Sequence, residues 1–188
     1  VTETAKNNLT NEILTFWFGS GDDEVRDIWF KKDDTFDQEI RERFGTARQT
    51  AAAGGHDDWA NTADGALALV ILLDQFSRNL CRGSADAFAT DEKSLSIAKA
   101  AIDNGFDLAQ HPIRRGFFYL PFEHSENLAE QVRSIELFTA LGNEHTLKYA
   151  VEHHDIIERF GRFPHRNAVL GRESTAEEQA FLETFDSF

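Results

Sequence analysis

The stretch ALALVILLDQFSRNL, residues 66–80, decides the fold. Its first eight residues are all apolar, and such a run suits either a buried strand or a buried helix. Leu69, Leu73, Phe76 and Leu80 continue one face beyond the run at helical spacing, so the segment reads as a helix. A helix apolar on every side over its first half belongs at the centre of a bundle. The run is far short of the roughly 20 residues needed to cross a bilayer.

The segments around it carry the same period. Phe36, Ile40, Phe44, Ala47 and Ala51 step by three or four and end near Gly54 and Gly55. Leu95, Ala98 and Ile102 predict a helix from Thr90 or Asp91 to Gly105. Leu128, Val132, Ile135 and Phe138 predict another, with Pro121 in its first turn. Leu147, Ala150, Val151, Ile157 and Phe160 mark a helix between Asn143 and Gly161. Ser174 and Glu177 have capping-box spacing before Phe181, Leu182 and Phe185. ILTFWF, residues 13–18, reads as a short aromatic helix. Period-2 alternation is nearly absent, and no linker or exact repeat interrupts the pattern. Residues 1–188 are therefore expected to form one all-α domain, an array of antiparallel helical hairpins.

Bulk chemistry narrows the partners. The 33 acidic residues against 19 basic ones argue against nucleic acid or an anionic membrane. A single cysteine, Cys81, forbids an internal disulfide and points to a reducing, cytoplasmic setting. The start of the chain shows no charged-then-apolar secretion pattern. The chain has no Met, so its initiator is removed or lies outside this numbering.

Against that acidic background, polar residues gather on apolar faces in three places. On the central helix, Asp74 and Arg78 are four apart, with Gln75 and Asn79 beside them. In YLPFEHSENLAEQ, residues 119–131, a continuous helix would put His124 and Gln131 on the stripe of Leu128 and Ile135, flanked by Glu123 and Glu126. In RFGRFPHRNAVLGR, residues 159–172, four arginines and a histidine occur without an acid. Guanidinium groups bind carboxylate or phosphate through paired donors, so this stretch suits an anion. The alternative is an internal lock in which these arginines pair with Glu123, Glu126 or Asp74.

EHHD, residues 152–155, adds a metal reading. A His154–Asp155 doublet with His124 gives three of the four ligands used by HD-type phosphohydrolases. The only later Asp is Asp186, near the chain end. An Asp155–Arg159 pair is the structural alternative, and no metal ligands are assigned on this pattern. There is no nucleophile elbow, phosphate-binding glycine loop or cysteine pair of metal spacing, and no cofactor is implied.

Several motifs are distinctive together: FWFG at 16–19, WF at 29–30, LALVILLDQFSRNLCRG at 67–83, FATD at 88–91, YLPFEHSEN at 119–127 and RFGRFPHRNAVLGRES at 159–174. In that order, over nearly the whole chain, they resemble the bacterial family catalogued as domain of unknown function 924. The resemblance implies an all-α fold similar to tetratricopeptide-repeat arrays, although no 34-residue repeat is evident, and it implies no activity.

Function is therefore read from the residues. The first reading is a small-molecule site where the three motifs converge, taking an anionic ligand and open to catalysis. Arg78, Arg162 and Arg166 would hold the anion. His124 or His165 would transfer protons, positioned by Glu123 or Glu126. Asp74, Tyr119, His154 and Asn167 complete the candidate lining. The second reading is a scaffold for a protein or peptide, with these motifs as structural locks. The third is the HD-like metallohydrolase. Oligomeric state is open.

Overall fold

The computed structural model describes residues 3–20, 24–29 and 31–185. Phe30 of the WF motif and Asp186 lie outside the described residues. Among those described, every regular element is helical. Among the described residues no helix is long and apolar enough to cross a membrane.

Local chemistry sets most boundaries. Helix α1 (Glu3–Phe18) brings the FWF aromatics into the core. Helix α2 (Asp34–Ala52) starts at Asp33, whose side chain accepts the Phe36 N–H. Helix α3 (Ala63–Val70) starts at Thr62 in the same way, and Gly65–Val70 are all buried. A π-helical turn, Ile71–Gln75, follows without a break and leads into α4 (Phe76–Leu80). The central helix is thus present, but with a local change of pitch that its periodicity does not announce. Helix α5 (Asp91–Asp103) follows the Thr90 cap position.

The second half is a run of hairpins. Helix α6 (Pro112–Glu123) is joined to α7 (Leu128–Leu141) by four residues, and α7 to α8 (Glu144–Phe160) by two. Asn143 caps α8 by accepting two backbone N–H groups, and Gly161 ends it with a left-handed φ of 69°. A short α9 (Ala176–Leu182) closes the described chain.

Two boundaries differ from the sequence reading. Pro121 does not open α7; it sits in the last turn of α6. Its ring removes a helical N–H, and the helix ends two residues later. His124 is then the C-cap of α6 and shares no helix with Leu128. The turn after it resets the helical phase. Gln131, Ser134, Leu137 and Phe138 become the buried stripe, while Leu128 and Val132 are exposed. The capping box of α9 is Thr175 with Glu178, one residue later than Ser174 with Glu177.

The main core surrounds α3. Phe16, Trp17, Phe36, Phe44, Phe76 and Phe117 pack there ring to ring, mostly tilted or edge to face. A second, smaller core joins Ile156, Ile157 and Phe163 to Phe160, Phe181 and Phe185. A polar layer lies where the two meet.

Two glycines give opposite expectations. A Cβ on Gly65 would lie 2.2 Å from the Trp59 carbonyl oxygen and 2.7 Å from the capping Thr62 hydroxyl. Gly45, inside α2, has open space at that position. By urea denaturation, Gly65→Ala should cost about 2–3 kcal/mol. Gly45→Ala should stabilise by about 0.4–1 kcal/mol.

Candidate functional site

The π-turn sets up the polar layer. Such turns disturb the regular pairing of N–H and C=O groups. Here the Phe76 N–H reaches back to the Ile71 carbonyl. Side chains take up three successive carbonyls: Ser77 donates to Leu72, Thr90 to Leu73, and Arg78 to Asp74.

Asp74 lies in this turn at 0% exposure. A buried carboxylate needs partners on both oxygens. Arg78 lies 3.1 Å from one oxygen, His124 Nδ1 is 2.8 Å from the same oxygen, and Gln75 donates to the other at 2.6 Å. Burial alone would push this carboxyl up, but Arg78 and His124 outweigh it and hold it well below the usual range. Burial, aided by Arg78, pushes His124 down against the pull of Asp74. The imidazole is therefore neutral near pH 7. Its Nδ1–H donates to Asp74, which leaves the Nε2 lone pair available.

Arg78 extends the chain of charges. It makes a paired bond to Asp91, at 2.9 and 3.0 Å, at the start of α5. Asp91 also meets Arg166 at 3.4 Å. The Arg166 guanidinium lies between two aromatic rings, 4.5 Å from the Phe88 centroid and 4.4 Å from that of Phe163. Its Nε–H is buried and has no partner among the described residues. Burial, with Arg78 close by, lowers its pKa to about 10, so it stays charged near neutrality.

Phe88, Asp91, His124 and Arg166 line a cleft of about 690 Å³ with apolar walls from Leu95 and Pro121. That size suits a small molecule. Glu123 and His153 are both buried. His153 Nδ1 donates to the Tyr149 carbonyl at 2.8 Å and lies 3.5 Å from Glu123. Burial, reinforced by Asp74, pushes the Glu123 carboxyl up to about 8. Burial likewise brings His153 down to about 3.

The remaining sequence candidates are engaged with other partners. Glu126 lines the cleft, but Arg172 holds it at 2.7 and 2.9 Å and the Phe163 N–H donates to it. Arg162 pairs with Glu178, at 2.6 and 2.8 Å, and with the Glu173 carbonyl. Asn167 donates to Ser174. Tyr119 donates to Asp107 at 2.7 Å. His165 stacks on Phe185 and is pushed down to about 4, chiefly by burial. His154 pairs with its neighbour Asp155.

Two expectations are thus corrected. The pair His154–Asp155 groups with Glu158, whereas His124 groups with Glu123 and His153. Arg159 pairs with Glu177 rather than Asp155, because the bend at Gly161 brings α9 alongside. The sequence reading passed over Asp91, Phe88 and Phe163 as site residues, although FATD holds the first two. His153 carried a signal too, as a histidine on the buried arc of α8.

The sequence pattern of the bacterial proteins of unknown function grouped as DUF924 matches residues 13–186. A solved structure of a protein of unknown function from Agrobacterium tumefaciens is similar at 44% identity and a TM-score of 0.89, over 96% of this chain and 99% of that one. No curated protein matches the chain.

The two buried groups pull stability in opposite directions with pH. Folded Glu123 keeps its proton up to about pH 8, whereas the unfolded carboxyl loses it near 4.5. Its contribution is full below 4.5 and declines as pH rises toward 8. His153 stays neutral down to about 3 against 6.5 when unfolded, so its contribution declines as pH drops below 6.5. In EDTA-containing buffer, the stability of Glu123→Gln should fall less than wild type between pH 5 and 8. The expected difference is on the order of 3 kcal/mol by urea midpoints. An equal fall in both proteins would contradict a protonated Glu123.

Proposed function

We propose that this chain, which belongs to the DUF924 family of bacterial proteins of unknown function, binds a small carboxylate or phosphate in the cleft and acts on it through His124. The observation that carries this reading is Arg166. A buried guanidinium with an unpartnered Nε–H and one long contact to Asp91 has donors left for an anion. The Phe88 and Phe163 rings fix its plane, so little freedom is lost on binding.

His124 supplies the reactive group. Asp74 holds the Nδ1 side, so the other nitrogen carries a lone pair in a site that has Arg166 in its wall. Arg78 is committed to Asp74 and Asp91 and acts as a positioning residue. The structural-lock reading is supported for Arg162 and Arg172, whose partners are the protein's own carboxylates.

The test is a thermal-shift panel of carboxylates and phosphates in EDTA-containing buffer. A fitting anion at a hundred times its Kd should stabilise by about 2.7 kcal/mol. That corresponds to a Tm rise of roughly 5–10 °C for a chain of this size. The rise should vanish in Arg166→Ala and be reduced in Arg166→Lys, which keeps the charge but loses the fork. A flat panel, or a shift that survives in Arg166→Ala, would sink the proposal.

A further inference from the structure

We infer that the cleft takes a zwitterion, an α-amino acid with an apolar side chain, with its carboxylate on Arg166 and its ammonium on Asp91 and Glu92. The inference rests on the anion reading above and narrows it to one class of ligand.

The first observation is the acid beside the guanidinium. Arg166 is 6% exposed, and its buried Nε–H has no partner among the described residues. Its Nη1 lies 3.4 Å from the Asp91 carboxylate. That is long for a charge-assisted hydrogen bond, which runs at about 2.7–2.9 Å. An anion docked on Arg166 therefore comes close to a second negative charge. A plain carboxylate meets repulsion there, and a phosphate dianion meets more. A ligand with an ammonium next to its carboxylate turns that repulsion into attraction. In an α-amino acid one carbon joins the two charged groups, so they sit side by side, as the guanidinium and the Asp91 carboxylate do.

The second observation is the charge of the lining. Asp91, Glu92 and Glu126 line the cleft, and Arg166 is the one arginine or lysine described there. Two of these acids are already held. Arg78 holds Asp91 through a paired bond, and Arg172 holds both oxygens of Glu126. Glu92 is exposed, and its side chain has no hydrogen bond or ion pair with a described residue. It follows Asp91 in the first turn of α5. An ammonium beside Arg166 thus finds one fixed carboxylate and one uncommitted carboxylate in the same wall.

The third observation is the apolar part of the wall. Phe88, Leu95, Pro121 and Leu170 line the same space. Their side chains offer a polar group no hydrogen bond, and an apolar group gains by leaving water against them. At about 690 Å³ the cleft has room for a branched or aromatic side chain beside the charged head.

Titration calorimetry near pH 7 in EDTA-containing buffer tests this. L-Leucine and L-phenylalanine should bind at least ~10-fold more tightly than 4-methylpentanoate and 3-phenylpropionate, which lack only the amine. Leucinamide, without the carboxylate, and L-glutamate, with a second one, should each bind at least ~10-fold more weakly than L-leucine. Glu92→Gln, a change at an exposed position, should weaken L-leucine by ~2–5-fold and leave 4-methylpentanoate no weaker. The wild-type comparison decides the matter without any variant. Deaminated acids that bind as tightly as the amino acids would overturn the inference. So would binding of inorganic phosphate or a plain carboxylate with no binding of L-leucine or L-phenylalanine. Either result leaves the anion reading standing. L-Leucine binding that persists in Arg166→Ala, or no binding by any compound of either panel, would overturn both readings.

Discussion

Everything at the centre of this protein answers to one buried carboxylate. Asp74 is enclosed, and removing one partner of a buried ion pair costs roughly 3–5 kcal/mol. Its partners must therefore arrive in fixed places. Arg78 comes from the next helical turn, and His124 from the end of α6. Arg78 in turn fixes Asp91 at the start of α5, and Asp91 meets Arg166 beyond α8. A single charge thus ties together four segments far apart in the chain. The candidate site residues are the links of that chain.

Much of this was legible in the sequence, but unevenly. The α8 boundaries followed from Asn143 and Gly161, because a cap and a left-handed glycine act locally. The central position of α3 followed from a run with no polar face. What escaped was what depends on distant residues. The π-turn is held by the hydroxyls of Ser77 and Thr90 and the guanidinium of Arg78, and only Ser77 and Arg78 are near it in sequence. Pro121 looked like a helix opener and is found near a helix end, since either terminus can accept a residue without an N–H. Which arginine meets which acid depended on the fold. Arg162 turned toward Glu178 of α9, a partner that spacing alone does not suggest.

The charge pattern also acquires a meaning that the total hides. The chain carries a formal −14, yet the polar layer nearly balances its own charges. Arg166 is stacked between two rings within that layer. Exposed charges are screened by salt, and buried ones far less so.

The division into a large and a small apolar core has a further consequence. Helix α8 carries residues of both, Ala150 in the large core and Ile156 and Ile157 in the small one, so the two cores are joined along one rod. Arg166, stacked between Phe88 and Phe163, is a second tie between the α4–α5 connection and the C-terminal corner.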